Sequence, residues 1–234
     1  MTPGWARTGR LAAWIYGGAA LAGGVLAAVG SSGLVSTADL AAHYASVRRV
    51  WWELYPAFQL LLVAFAALLP LGLALRARLG AGSPRPDLAA AAFLAAGVVG
   101  ILWMLFQVGS AQAIARDSAG MDAAALKVLG EDASIWSGVI NWLQRGFILL
   151  AGLGTYWASR CALQGGGLSR GLAWLGLLLT AFYWLGLVSL AARDLGFGLP
   201  DAVGSLLVLA GSLLAFGWAL WLGYELGRAP AQPT

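Results

Sequence analysis

Asn141, Gln144 and Arg145 stand inside a run otherwise apolar enough to cross a bilayer, IWSGVINWLQRGFILLAGLGTYWASR over residues 135–160. A guanidinium at membrane depth costs about 2.5–3.5 kcal/mol on insertion scales unless it is paired or hydrated. Arg145 therefore calls for a carboxylate, a hydrated cavity or an anionic ligand. Spacing adds a second clue. Ser134, Ser137, Gly138, Asn141, Arg145, Ile148, Gly152, Thr155 and Ser159 recur at three- or four-residue steps and so share one helical face. Gly97, Gly100, Met104, Gln107 and Ala111 repeat that pattern in the preceding run. Small residues let helices approach and buried amides bond across the contact, so the two runs are expected to pack with Gln107 near Asn141 or Arg145.

The countercharge favoured for Arg145 is Glu53, within WWELYP at the outer end of another apolar run. Trp51, Trp52 and Tyr55 surround that carboxylate. They suit either a cage for a cationic head group or, more commonly, an interfacial aromatic belt with an acid at a helix N-terminus. Asp39 and His43, four residues apart, are the right types for acid–base catalysis. With no nucleophile nearby, a charge-stabilised helix face is the simpler reading.

Other chemistries are excluded by what is missing. There is no HExxH, GxSxG or Walker motif, and no acidic pair inside an apolar run. One cysteine, Cys161, forbids an intrachain disulfide or thiolate cage. One histidine forbids a multi-histidine metal site. The sequence thus assigns no catalytic residue, no metal ligand and no cofactor.

The elements that must position these residues follow from composition. Of 234 residues, 60% are hydrophobic and 10% charged, against roughly 25% charged in soluble domains. Lipid must be the main solvent. Runs of about twenty apolar residues give six spans, at about 11–29, 52–75, 88–113, 135–160, 168–191 and 201–224. The expected fold is all-α, a polytopic membrane bundle of six transmembrane helices in one domain over residues 1–226. A disordered tail is expected at 227–234. The first run is long enough to be a retained helix rather than a cleaved signal. One or two short amphipathic helices are expected on the outer surface. One lies within STADLAAHYASVRRV, capped by Ser36; another lies around residues 122–129 and is ended by Gly130.

Charge sets the orientation. With the N-terminus inside, one face holds eight basic and two acidic residues, and the other holds five basic and eight acidic. The positive-inside rule then puts both termini in the cytoplasm. The charges lie singly or in pairs, so the basic balance reads as a headgroup-facing surface and not a nucleic-acid site. The excess of Ala, Gly, Leu and Arg over Lys suggests a GC-rich bacterial source and its inner membrane.

Several segments carry a family likeness: TADLAAHYASVRRVWWEL after the first span, LLPLGLALR ending the second, ASRCALQGGGLSRGLAWLGLLL between the fourth and fifth, and AFGWALWLGYELG ending the last. In this layout the chain resembles the bacterial domain-of-unknown-function family numbered 4386. The resemblance implies a six-helix integral membrane protein without an established activity, and it carries over no site residue.

The functional expectation is a membrane protein that binds a small amphiphile or lipid, or serves as a subunit of a membrane complex. Its site would be an outward-facing polar pocket drawn from Trp52, Glu53, Tyr55, Gln107, Asn141, Gln144 and Arg145. Its partners would be membrane lipids, a small amphiphilic ligand or other membrane subunits, with no nucleic acid. A small-solute transporter or channel is one alternative, although the two halves show no repeat. An embedded enzyme using an outward Asp39, His43 and Glu53 group is the other.

Overall fold

A computed structural model describes residues 2–35, 39–80, 84–165, 167–197 and 200–228. They form six helices: α1 (Pro3–Ser31), α2 (Leu40–Leu79), α3 (Pro84–Asp117), α4 (Ala123–Leu163), α5 (Arg170–Asp194) and α6 (Asp201–Leu226). Start signals are local. Pro3 opens α1, where its missing N–H costs nothing. Asp39, Asp122 and Ser169 accept hydrogen bonds from the amides of Ala42 (3.0 Å), Ala125 (2.8 Å) and Leu172 (3.3 Å), capping α2, α4 and α5. Ser36 and the tail beyond Arg228 lie outside the described residues.

Successive helices pack as neighbours, and α6 returns to α1, closing a ring. Close approach at glycine makes this possible. A Cβ on Gly23 of α1 would stand 2.9 Å from the carbonyl oxygen of Ala57, so α1 seats directly on the α2 backbone. At the basic end Glu225 is 8% exposed and accepts hydrogen bonds from the amide (2.7 Å) and hydroxyl of Ser169, tying the end of α6 to the start of α5.

This is the polytopic membrane bundle expected. Five helices among the described residues are long and apolar enough to cross a membrane: α1, α2, α3, α5 and α6. α4 is too polar to qualify alone, yet it packs against both α3 and α5. Its polarity has a positional cause. Fifteen residues separate Arg145 from Arg160 at the basic end, about 22 Å of helix. With Arg160 at one boundary of a hydrocarbon layer about 30 Å thick, Arg145 would fall in the far quarter and not near the middle. The stretch of α4 from about 142 to 160 is long enough to match that layer, and the helix continues beyond it.

The separate surface helices are corrected. α2 runs 40 residues and α4 runs 41 without a break, each about 60 Å long. Gly130 does not end a helix; it lies inside α4, where it faces Leu40 and Tyr44 of α2. The amphipathic segment around Tyr44 and Val47 does bury its apolar face. It buries it against protein, on the extensions of α3 and α4, rather than lying on lipid. Arg48 donates to the Ser118 hydroxyl at the end of α3 (2.7 Å), joining this cap outside the membrane-spanning layer.

Candidate functional site

The stripe on α4 meets α5, not α3. Thr180 on α5 donates to the Gly152 carbonyl (3.3 Å), and a Cβ on Gly152 would stand 2.7 Å from Trp184 Nε1. Ser159 and Thr155 surround Gly176 in the same seam. Gly97 and Gly100 of α3 likewise face Phe65 and Leu69 of α2. Both stripes are real packing faces, assigned by sequence to the wrong neighbour.

This seam decides the partner of Arg145. Antiparallel packing brings the last residue of α5 to the middle of α4, and Arg145 Nη1 lies 2.6 Å from Asp194 Oδ2. Asp194 also pairs with Arg193 (2.6 Å). Glu53 is not the countercharge: it is exposed on α2, and the carboxylate paired with Arg145 is that of Asp194. Trp142, 71% exposed, lies beside the guanidinium, whose Cζ is 5.3 Å from its ring centroid. A ring of that polarity suits the interface.

Around the ion pair is a cleft of about 380 Å³ between α4, α5 and α6. It is lined by Asn141, Gln144, Arg145, Ile148, Leu190, Arg193, Ser205, Val208, Leu209 and Ser212. Beside it lies a mostly apolar chamber of about 350 Å³ that reaches inward from the α1–α6 seam, where Leu21, Val25 and Leu213 on its wall are exposed. Tyr16 of α1, Phe65 of α2, Trp103 of α3, Phe147 of α4, Tyr183 of α5 and Phe216 of α6 all contribute to its wall. Gln144, Ile148, Val208, Leu209 and Ser212 line both spaces. A polar mouth and an apolar chamber thus share one wall.

Of the seven residues expected at a site, Asn141, Gln144 and Arg145 come together. Trp52, Glu53, Tyr55 and Gln107 line none of the four cavities described. Trp52 is 79% exposed and Tyr55 packs on Trp51 (5.5 Å between centroids), which fits an aromatic belt. Among the described residues no hydrogen bond joins Gln107 to Asn141 or Arg145. The Asp39, His43 and Glu53 group does not converge either. Asp39 caps α2, and His43 Nδ1 lies 2.7 Å from the Val35 carbonyl. No group of three potential metal ligands occurs among the described residues.

Sequence reasoning missed Asp194, Arg193, Ser205, Ser212 and the aromatic chamber wall. Asp194 had a usable signal. A carboxylate ending the second apolar run of an antiparallel pair must lie near the start of the first. The chamber had none, because Tyr16, Phe65 and Tyr183 read as ordinary core residues. Comparison of the chain with protein-family models, with curated proteins and with solved structures returns no match.

Proposed function

We propose that this membrane-embedded bundle binds a small amphiphile, its polar group at Arg145 and Asn141 and its single apolar chain in the adjoining apolar chamber. One observation carries the reading: the polar cleft and the apolar chamber share Gln144, Ile148, Val208, Leu209 and Ser212. Volumes of a few hundred Å³, mostly apolar with a few placed polar groups, are typical of small-ligand sites. The Arg145–Asp194 pair supplies dipoles at the mouth without leaving either charge unmatched. The mouth faces the acidic end of the bundle. With both termini in the cytoplasm of a bacterial inner membrane, the ligand would enter from the outer leaflet. Kinship with the 4386 family belongs to the same proposal.

Thermal unfolding with a series of single-chain amphiphiles tests it. The wild type should gain several degrees with a matched chain, as ligand binding to the folded state requires. Replacing both Arg145 and Asp194 by alanine should remove most of that gain. Equal gains in the two proteins would count against the cleft as the head-group site.

A further inference from the structure

A second groove opens at the opposite, basic end, and nothing in the amphiphile proposal uses it. It lies where the end of α2, the start of α3 and the end of α4 meet, and its volume is about 680 Å³. Its walls are graded. Arg85 and Gln164 stand at the rim, while Leu79, Leu88, Trp157 and Cys161 form the apolar part. Arg85 Nη1 donates to Gln164 Oε1, which holds the guanidinium between α3 and α4. A neutral amide satisfies one donor and leaves the charge unmatched, and a guanidinium carries five N–H donors. Asp87, the acid nearest in sequence, is held by Arg76 at 2.6 Å. Among the described residues no carboxylate lies within ion-pair distance of Arg85. It also stands in the first turn of α3, where the helix dipole favours an anion. Arg78, on α2, donates to the Gly167 carbonyl (3.2 Å) across the same end.

We infer that this groove holds an anionic phospholipid of the leaflet at the basic end, its phosphate on Arg85 and an acyl chain along Leu88 and Trp157. The order of chemistry along the groove matches the order along a phospholipid, charge outside and hydrocarbon inside. Basic pockets between membrane helices recognise such head groups. Leu88 is half exposed, so the apolar part opens toward lipid and a chain can enter sideways.

Native mass spectrometry of the full chain tests this by titration with phosphatidylglycerol and phosphatidylcholine of identical acyl chains. The wild type should retain the glycerol lipid about fivefold better, the effect of one surface cation on one anionic head group. Arg85→Gln should bring the ratio to near one, and Arg85→Lys should keep most of it. Leu88→Trp, which fills the groove, should lower retention of both lipids. Arg228→Gln, at the same end but outside the groove, should leave the ratio unchanged. Three results would overturn the inference: no preference in the wild type, equal losses for Arg85→Gln and Arg228→Gln, or displacement of the lipid by equimolar glycerol phosphate. The second would indicate a diffuse basic face, the third a site for a free phosphate.

Discussion

Arg145 and Arg85 mark opposite ends of the same bundle, and the protein treats them in opposite ways. Arg145 lies within the ring, with 18% of its side chain exposed, and is matched by a carboxylate at 2.6 Å. Arg85 stands at the rim, exposed, and is met by an amide. The difference follows from depth. Inside the hydrocarbon layer an unmatched guanidinium is expensive, so the fold supplies Asp194 from the neighbouring helix. At the headgroup level water and lipid phosphates can do that work, and no internal partner is needed. Arg145 is therefore tied to the stability of the bundle, whereas Arg85 is tied to what surrounds it.

Four substitutions separate the two roles. The largest effect should come from Gly152→Leu, in the seam that brings α5 to Arg145. The added side chain meets Trp184 at 2.7 Å from its first carbon, and overpacking of this kind costs about 1–3 kcal/mol. Denaturant titration in detergent should show it. Asp194→Ala comes next, a smaller loss, because it leaves the Arg145 guanidinium without its carboxylate. Arg145→Met should cost less, under about 1 kcal/mol, because Arg193 remains to neutralise Asp194. Reversal of that order would show that the carboxylate, and not the guanidinium, is the group under strain. Arg85→Gln should change stability least, within about 0.5 kcal/mol as for an exposed residue. A loss as large as that of Asp194→Ala would remove the contrast between the two ends.

Much of the architecture was legible because it rests on terms that add along the chain. Apolar run length set the six helices, and charge asymmetry set the two faces. Arg145 was legible as a problem, since few residues are so costly in a span. Its solution was not. Asp194 lies 49 positions away (194 − 145), and only the pairing of α4 with α5 puts them together. Glu53 looked equally suitable by type and by side of the membrane. The surface helices failed for a related reason. An amphipathic face around Tyr44 and Val47 is the same pattern whether it lies on lipid or on protein. The extensions of α3 and α4 decided for protein. Gly130 failed because a glycine that ends a helix and one that admits Leu40 and Tyr44 are identical in sequence.

The most direct test of the central claim, that cleft and chamber form one amphiphile site, is a binding titration by native mass spectrometry on Ser212→Trp. Ser212 lies on the wall between the two spaces. The indole should block passage from mouth to chamber while Arg145 and Asp194 stay paired. One-to-one binding of a single-chain amphiphile should then fall at least tenfold, with thermal stability kept within a few degrees. Undiminished binding in a folded Ser212→Trp protein would contradict the claim.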